Sequence, residues 1–409
     1  MWRKIKNYYH IFQAVFANIY FGFPSREIKV IGVTGTDGKT TTTWLTYHLL
    51  KSAGKKVSFI TSIYAVIGDT IYDVGLHVTT PSAFMVQKLL RRAVNAGSEY
   101  FILETTSHAL DQGRVHGIKY HIGALTNITS EHLDYHKTFE SYCDTKLKLL
   151  QASDKFITNF DDPTFAKISE ISKKLSKTLL TYGENKEKVN FSTQIIKDWG
   201  LKLADFNYYN FACASLIAKT IGIDDENIKI GCESFILPKG RMEKVYDKDF
   251  QIYIDFAHTP NAITQALKSL RENSLAKEGR IIHVFGSAGL RDHQKREAMG
   301  RASASGAHIS IITEEDYRTE NLEKICSEIT IGLEKSNFKK TNINQKEIPV
   351  RSYLIIPNRQ DAIEFAIQIA KKGDIIVSTG KGHEKSLARG SIETPWSEHE
   401  AFETALKKR

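Results

Sequence analysis

A glycine-rich segment followed by lysine and threonine has the residue types of a phosphate-binding loop. It runs from Gly32 to Thr40, as Gly-Val-Thr-Gly-Thr-Asp-Gly-Lys-Thr, between an apolar β-rich run and a helical pattern. Gly35 and Gly38 let backbone N–H groups approach phosphate oxygens, and the helix start adds its positive dipole end. We predict that Lys39 contacts the terminal phosphates of a nucleotide and that the next threonine offers its hydroxyl to Mg²⁺. Position 33 is valine, so the strict G-x-x-x-x-G-K-[ST] pattern is not met, and a glycine-rich turn is the alternative.

A carboxylate and a histidine follow two further apolar runs. Glu104 ends the run Tyr100–Glu104, and parallel sheets present ligand-facing residues at the carboxyl ends of their strands. A carboxylate there suits Mg²⁺, which prefers oxygen ligands. His132 lies in the polar stretch Thr126–His136. The alternatives are a strand-end glutamate satisfied by local N–H groups and a surface or capping histidine.

Short β-rich runs alternate with helical patterns from Ile28 onward, which is typical of a mainly parallel sheet. The first series of predicted strands and helices is Lys29–Thr34, Thr41–Ala53, Val57–Thr61, Ala83–Ala96, Tyr100–Glu104, Ile122–Ile128, Phe139–Gln151, Phe156–Asn159 and Tyr209–Ile221. In the second series the strands are Ile252–Phe256, Ile281–Phe285, His308–Ile312, Tyr353–Ile356 and Ile375–Ser378, and the helices are Ala262–Leu270, Lys295–Ala304, Leu322–Leu333 and Asp361–Ala370. We predict an α/β chain with a P-loop ATPase domain and mainly parallel sheet over 28–238. A Rossmann-like doubly wound domain of about six strands follows over 239–409, with the boundary at the breaker Pro238-Lys-Gly240.

Composition narrows the class of protein. Of 409 residues, 41% are hydrophobic and 25% charged, as in a soluble globular protein. The net charge of +9 comes with interspersed Lys and Glu, so we expect anionic small-molecule substrates and no nucleic-acid partner. The four cysteines (Cys143, Cys213, Cys232 and Cys326) form no Cys-x-x-Cys pair. This spacing favours a reducing, cytoplasmic location over a disulfide framework or a zinc ribbon.

The segment 1–27 is basic and then aromatic, and we treat it as a separate helical segment. It lacks a signal-peptide cleavage pattern, and its apolar stretch is shorter than the roughly 20 residues of a spanning helix. Tyr8, Phe12, Val15, Ile19 and Phe23 recur at helical spacing. We expect these five side chains to be covered by docking on the ATPase domain, with a membrane surface or a protein partner as the alternatives.

The variant loop Thr34–Thr41 resembles that of the Mur ligases and the related folylpolyglutamate synthetases. Further stretches resemble Mur ligase motifs, in the same order along the chain: Glu104-Thr-Thr-Ser-His108, Thr126–His136, Gly240-Arg-Met-Glu243, Asp255–Ala262, Gly286–Arg296, Arg359–Ile363 and Gly380-Lys-Gly-His-Glu384. On these motifs the chain is identified as a member of the Mur ligase family. The resemblance implies an ADP-forming amide ligase that uses ATP and Mg²⁺ and activates a carboxylate as an acyl phosphate.

The resemblance also assigns residues to the nucleotide and metal ions. It implies nucleotide binding by Gly35, Thr36, Asp37, Gly38, Lys39, Thr40, Thr41, Asn127, Arg241, His258 and Arg291. The catalytic set is Lys39, Glu104, His132 and Lys146, and the metal ligands are Thr40, Glu104, His132 and Lys146. Lys146 falls where the family carries a carbamylated lysine, and Lys148 points elsewhere on the helix. Position 131 is Glu where the family usually has Asp.

The last motif resembles the branch that adds a diamino acid as third residue of the peptidoglycan stem peptide. In that branch the arginine of a D-N-P-R motif holds the amino acid's carboxylate, and here the stretch is Glu315-Asp-Tyr-Arg318. A guanidinium suits bidentate carboxylate recognition. The residues expected to bind substrates are Thr79, Thr80, Thr106, Arg114, Arg318, Gly380 and Glu384. The added amine stays open between meso-diaminopimelate, lysine and another amine because the motif is altered.

Two further expectations concern the acceptor and the rival functions. Relatives in this branch carry an additional N-terminal domain that holds the uridine-diphosphate end of the substrate, and residues 1–27 are too few to fold one. We therefore expect this handle to be recognised weakly, by a partner, or not at all. The rivals are another Mur-type ligase, of pseudomurein or polyglutamate type, and a nucleotide-binding subunit that needs a partner for chemistry.

Overall fold

The computed structural model describes residues 2–75, 80–272, 279–345 and 347–409, with side chains described from Asn7 onward. The chain divides into two compact units. The first comprises Met1–Ser130 and His136–Ile236, and the second comprises Glu131–Tyr135 and Leu237–Arg409. Each unit is built on its own sheet.

Nine strands within the described part of the first unit form one sheet, in the order β4-β3-β2-β5-β1-β6-β7-β8-β9. They are β1 (Lys29–Thr34), β2 (Val57–Ile60), β3 (Ala65–Ile67), β4 (Thr70–Tyr72), β5 (Tyr100–Glu104), β6 (Tyr120–Leu125), β7 (Ser153–Asn159), β8 (Thr178–Gly183) and β9 (Phe191–Ser192). Strand β3 pairs antiparallel with β2 and with β4, and the other pairs are parallel. The predicted mainly parallel sheet is confirmed.

Helices cover both faces of this sheet. They are α1 (Trp2–Tyr20), the 3₁₀ turn Pro24–Arg26, α2 (Lys39–Ser52), α3 (Ala83–Asn95), α4 (Ser107–Asp111), α6 (Phe139–Gln151), α7 (Phe165–Lys174), α8 (Thr193–Asp198), α9 (Asp205–Ile221) and α10 (Asp225–Glu233). The short helix α5 (Leu133–His136) lies mostly in the segment that groups with the second unit. Successive residues of β1 enter opposite cores: Val30 lies in the core that includes α3 and α6, and Ile31 in the core that includes α2 and α9. Strands buried on both faces read as continuous apolar runs, which is why the sequence reveals them.

Helix α1 is docked on the first unit through small and polar residues. Ala14 and Ala17 are buried. Asn18 Nδ2 donates to the His116 carbonyl oxygen at 3.0 Å, and Asn7 Nδ2 donates to the Asp111 carbonyl oxygen at 2.9 Å. Among the described residues, no helix is both long enough and apolar enough to cross a membrane.

The prediction that the large apolar residues of α1 are the covered ones was wrong. Tyr8, Phe12, Val15 and Ile19 are 72%, 70%, 42% and 60% exposed, and Phe23 is only partly buried. The alanines let the helix backbone approach the unit closely, and Asn7 and Asn18 satisfy polar backbone groups there. Helical periodicity separates the two faces but does not say which one is docked.

The second unit contains seven strands in one sheet within its described residues, in the order β10-β11-β16-β12-β13-β15-β14. They are β10 (Glu243–Asp247), β11 (Gln251–Ile254), β12 (Ile281–Phe285), β13 (Ile309–Ile312), β14 (Lys339–Lys340), β15 (Ser352–Ile355) and β16 (Ile375–Ser378), and β17 (Ser386–Arg389) with β18 (Ile392–Pro395) forms a separate hairpin. Only β10 and β11 pair antiparallel within the seven. The five predicted strands are present, and the short edge strands β10 and β14 were not predicted.

Helices lie on both faces of the second sheet as well. They are α11 (Pro260–Glu272), α12 (Lys295–Gly306), α13 (Leu322–Lys335), α14 (Arg359–Ile369) and α15 (Glu398–Lys407). Residues of α11, α12 and α13 share one core, and residues of α14 and α15 share the other. This is the predicted doubly wound arrangement. The loops after β11, β12, β13 and β16 leave the same edge of the sheet, because these strands are parallel.

Candidate active site

The phosphate loop connects β1 to α2 in the first unit, and only glycine fits at two of its positions. Gly35 has φ 152° and Gly38 has φ 80°. A Cβ at position 35 would lie 1.8 Å from Thr126 Oγ1, and one at position 38 would lie 2.2 Å from Asn210 Oδ1. The loop backbone is therefore held close to two other segments of the unit, and its glycines are required by space as well as by φ.

Asn127 holds the phosphate loop in place by hydrogen bonds to its backbone. Its Oδ1 accepts a hydrogen bond from the Asp37 backbone N–H at 2.9 Å, and its Nδ2 donates to the Asp37 carbonyl oxygen at 3.1 Å. The Asn127 carbonyl oxygen accepts from the Thr36 N–H at 2.9 Å. Lys39 Nζ donates to the Thr36 carbonyl oxygen at 2.7 Å, so the lysine that begins α2 folds back over the loop.

Thr40 and Glu104 form a buried hydroxyl–carboxylate pair beside the loop. The Thr40 hydroxyl lies 3.1 Å from both Glu104 carboxylate oxygens, and the Ser62 N–H donates to Oε2 at 3.1 Å. Thr40 and Glu104 are 3% and 1% exposed. Strands β1 and β5 are parallel neighbours with Val33 opposite Glu104, which brings the carboxylate to the loop. Hydroxyl and carboxylate oxygens are a donor set that fits Mg²⁺.

Lys146 of α6 reaches the loop from the side. It is 1% exposed, its Nζ donates to the Gly35 carbonyl oxygen at 2.6 Å, and it lies 4.5 Å from the Tyr142 ring centroid. Lys148, two residues on, is 47% exposed and lies 3.7 Å from Asp111. The two lysines therefore lie on different sides of the helix, as their spacing predicts.

The segment Glu131–Tyr135, which carries His132, groups with the second unit. His132 has φ 57°. Glu131 Oε1 accepts from Lys295 Nζ at 2.9 Å, in a pair whose side chains are 3% and 10% exposed. Lys295 also donates to the His258 carbonyl oxygen at 2.9 Å. Sequence reasoning noted position 131 only as a departure from the usual Asp and missed Lys295 as its partner. Among the described residues, no group of three or more His, Cys, Asp or Glu side chains could hold a metal ion by itself.

Three of the residues expected to bind the acceptor lie together at the end of β5. Thr80 Oγ1 donates to the Glu104 carbonyl oxygen at 3.0 Å and accepts from the Thr106 N–H at 3.0 Å. Thr106 also caps α4, since its side chain accepts from the Ala109 N–H at 3.2 Å. Arg114 donates to the Thr80 carbonyl oxygen. Thr79 lies outside the described residues.

In the second unit, two of the residues expected near the nucleotide lie against the ring of Phe256. The Arg241 guanidinium lies 4.6 Å from the Phe256 ring centroid, and the His258 ring lies 4.8 Å from it. The ring centroid of His383 lies 5.0 Å from that of Phe256. Burial, and then the charge of Arg241, lowers the pKa of His383 to about 3, so this ring is neutral at pH 7. Arg291 is exposed and lies between β12 and α12.

A charged cluster links the loops after β13 and β16. Lys381 is 0% exposed, and its Nζ lies 2.8 Å from Asp316 Oδ1 and 2.5 Å from Glu384 Oε2. The Arg318 guanidinium donates to the Gly289 carbonyl oxygen at 2.8 Å and lies 3.8 Å from Asp316 Oδ2. Sequence reasoning singled out Arg318 and Glu384 but missed Lys381, although it stands inside the Gly-Lys-Gly-His-Glu motif.

Gly380 begins this loop with φ 101°. A Cβ there would lie 2.7 Å from Glu315 Oε2. Burial, with the negative charge of Asp316 next, raises the pKa of Glu315. Gly380 is therefore needed to leave room for a buried carboxyl group that is more easily protonated than usual.

Comparison with known proteins decides the family. Residues 33–221 match the Mur ligase middle domain, and residues 240–382 match the Mur ligase, glutamate ligase domain. A UDP-N-acetylmuramoyl-L-alanyl-D-glutamate–2,6-diaminopimelate ligase of Clostridium botulinum is 34% identical over an alignment 417 residues long, gaps included. The alignment covers 97% of this chain and 81% of the relative. The chain belongs to the Mur ligase family. This Mur ligase is an enzyme, an ADP-forming amide ligase, as the motifs predict.

Solved structures agree with this assignment. A UDP-N-acetylmuramoyl-L-alanyl-D-glutamate–2,6-diaminopimelate ligase superposes with TM-score 0.59 at 26% identity, covering 93% of this Mur ligase and 78% of that chain. A bifunctional folylpolyglutamate synthase/dihydrofolate synthase from Yersinia pestis, complexed with AMPPNP and a Mn ion, gives TM-score 0.69 at 17% identity, covering 90% of each chain. The second likeness shows that the fold is shared.

Proposed function

We propose that this Mur ligase joins an amino acid, and specifically a diamino acid, to the free carboxylate of a UDP-muramoyl-dipeptide-like acceptor in peptidoglycan precursor synthesis. ATP is cleaved to ADP and phosphate. The observation that carries this proposal is the buried Thr40–Glu104 pair beside a phosphate loop over which Lys39 folds. The 34% identity to a diaminopimelate-adding ligase supports the choice of substrates.

The chemistry requires an activated carboxylate. A carboxylate resists attack by an amine because its charge is delocalised and its leaving group would be oxide. In the proposed sequence, a carboxylate oxygen of the acceptor attacks the γ-phosphorus of ATP, and the bond to ADP breaks. The amine nitrogen then attacks the acyl-phosphate carbon and loses a proton, and the carbon–oxygen bond to phosphate breaks. The products are the amide, ADP and phosphate.

The first unit supplies the groups that meet the phosphate charge. The Lys39 ammonium and the backbone N–H groups at the start of α2 are positive or partly positive, so they stabilise charge that grows on the transferred phosphoryl group. Asn127 holds the backbone of that loop in place. The acceptor is proposed to be held by Thr80, Thr106 and Arg114, since these residues lie together at the end of β5, beside Glu104.

Two metal positions are proposed. Thr40 and Glu104 would hold one Mg²⁺, because both already present oxygen atoms to the same buried point. Lys146, as a carbamate, would supply oxygen ligands to Mg²⁺. His132 is proposed as a ligand of a second ion. When bound, Mg²⁺ neutralises phosphate charge. Burial of Lys146 against the loop fits this role, whereas the exposed Lys148 does not.

The second unit is proposed to hold the incoming amino acid. Arg318 would pair with its carboxylate, and Glu384 with its distal ammonium. Lys381 positions Glu384 and Asp316 by charge, because it lies between them. Arg241, His258 and Arg291 are proposed to approach the nucleotide. All four cysteines are free and buried, which supports a reducing cytoplasm as the place of reaction.

A matrix of acceptors and amines tests the proposal. UDP-muramoyl-dipeptide is offered with meso-diaminopimelate, lysine or another amino acid, and phosphate release and product mass are measured. We expect phosphate release only when a peptide carboxylate and one of the diamino acids are both present, with a product mass equal to their amide. Turnover with a folate or a pseudomurein-type acceptor instead would contradict the proposed substrate, and the assignment as an amide ligase would stand.

A further inference from the structure

The N-terminal helix α1 has two faces of different chemistry. Ala14, Ala17 and Asn18 are buried against the first unit. On the other side stand large exposed side chains, which we call the aromatic face: Tyr8 (72% exposed), Tyr9 (60%), Phe12 (70%), Val15 (42%), Phe16 (52%), Ile19 (60%) and Tyr20 (65%). Projected at about 100° per residue, these seven residues span an arc of about 140° that lies opposite the buried ones. The helix is therefore docked by one face and presents an apolar face outward.

The aromatic face is concentrated and continues onto a neighbouring helix. In the described part of the chain, seven of the eighteen exposed large apolar or aromatic side chains belong to α1. Phe84 of α3, 43% exposed, extends the face, with its ring centroid 5.4 Å from that of Tyr20 and 4.9 Å from that of Phe21. A patch of this kind on a protein surface marks an interaction site.

The charge of the segment indicates what covers the aromatic face. Residues 1–26 contain Arg3, Lys4, Lys6 and Arg26 and no Asp or Glu. A basic segment with a broad aromatic face is the composition of a helix that lies in the plane of an anionic lipid surface. Tyr suits the boundary between headgroups and acyl chains, because its ring is apolar and its hydroxyl is polar. Phe is typical of the apolar face that such helices insert.

A second copy of the chain is a poorer match for the same face. A two-fold interface brings one patch against the identical patch, so any favourable charge pair must come from within it. Residues 1–26 offer no carboxylate to pair with their four basic residues. An anionic bilayer supplies both the apolar environment and the negative charge.

We propose that α1 inserts its aromatic face into the surface of an anionic lipid bilayer and thereby holds the enzyme at the membrane. The docked face would transmit the attachment to the first unit. Asn7 and Asn18 bond backbone groups there, and Arg91 of α3 donates to the Phe21 and Gly22 carbonyl oxygens at 2.8 and 2.9 Å. The helix is therefore fixed to the unit at Asn7 and near its C-terminal end, and its aromatic face stays exposed.

Vesicle flotation of the full chain tests the proposal. One set of vesicles is phosphatidylcholine alone, and the other contains about one third phosphatidylglycerol. We expect the wild type to bind the anionic vesicles at least about tenfold more tightly than the neutral ones, with weaker binding at high salt. The triple substitution Phe12→Gln, Phe16→Gln and Ile19→Gln, and separately Lys4→Glu with Lys6→Glu, should each weaken binding to anionic vesicles at least about tenfold.

The matched control replaces three exposed isoleucines elsewhere, Ile71→Gln, Ile230→Gln and Ile343→Gln, which should bind as the wild type does. Thermal unfolding checks that each variant is folded. Sedimentation velocity without vesicles measures self-association. Equal binding to both vesicle types, full binding by the triple variant, or a dimer that the triple variant abolishes without any vesicle binding would each overturn the proposal.

Discussion

The Lys146 ammonium group donates a hydrogen bond to the carbonyl oxygen of Gly35 at 2.6 Å, so a buried lysine of α6 is tied to the phosphate loop itself. The two residues are far apart in the chain. Gly35 cannot be replaced, because a Cβ at that position would collide with the Thr126 side chain. A change of charge at Lys146 would therefore act directly beside the phosphate groups that the loop is proposed to hold.

The first prediction concerns carbamylation of Lys146. If the side chain works as a carbamate, Lys146→Ala should lower kcat by roughly 100-fold or more, because the carbamate oxygens proposed to hold Mg²⁺ beside the phosphates are lost. Short carboxylic acids such as acetate should restore part of the activity by replacing that anion. Lys148→Ala, on the exposed side of the same helix, is the matched control and should retain full activity. Full activity of Lys146→Ala, with no effect of added acid, would rule the role out.

The second prediction concerns Lys39 and the reaction class. Wild-type enzyme should form ADP, and only when acceptor and amino acid are both present. Lys39→Ala should lower kcat/KM by roughly 10²–10³-fold, because it removes the positive charge that stabilises the transferred phosphoryl group. Lys51→Ala changes a lysine in the last turn of the same helix and should be neutral. Formation of AMP and pyrophosphate by the wild type would contradict the assignment.

The phosphate loop and the strands could be predicted because their signals are local. Gly35, Gly38 and Lys39 stand between an apolar run and a helix start, and each feature can be read within a few residues. The buried strands of both sheets are continuous apolar runs for the same reason. The strands β3, β4, β8, β9, β10, β14, β17 and β18 were not predicted, because most of them are short, mixed in composition or partly exposed.

Partnerships through space could not be predicted from one sequence. Glu131 is paired with Lys295, 164 positions away, and Lys381 lies between Asp316 and Glu384 across two loops. Residue type gives no distance between such groups. The orientation of α1 was mispredicted for a related reason: periodicity shows two faces, and the docked one is decided by the fit of Ala14 and Ala17 to a surface that the sequence does not display.

The third prediction concerns Arg318. Arg318→Ala should raise the KM for the amino acid by roughly 10–100-fold, equivalent to about 1.5–3 kcal/mol for a lost charge-assisted pair, and should change the KM for ATP much less. Arg318→Lys should recover only part of the loss, because an ammonium cannot pair in bidentate fashion. Arg301→Ala, at an exposed position of α12, is the control. Equal effects on both KM values would show that Arg318 has a structural role.

The last prediction concerns stability at mildly acidic pH. His283, on the central strand β12, is 0% exposed, and its Nδ1 and Nε2 lie 2.8 and 2.9 Å from the hydroxyls of Ser303 and Thr379. Burial, and then the charge of Arg359, lowers the pKa of His283 from 6.5 to about 3. Between these two values the unfolded chain binds a proton that the folded chain does not, so the free energy of unfolding falls as pH falls below 6.5.

His283→Asn removes this linkage. The variant should be less stable than the wild type at pH 7, because it loses packing and one hydroxyl contact. On going from pH 7 to 5.5, however, it should lose roughly 1 kcal/mol less of its free energy of unfolding than the wild type loses. Urea unfolding at the two pH values measures this difference, in which the contributions of other titrating groups, including His383, cancel. His293→Asn, at an exposed position, should show the wild-type pH dependence. If His283→Asn shows that same dependence, the buried imidazole is not the group that couples folding to pH, because a neutral side chain at position 283 cannot take up the proton.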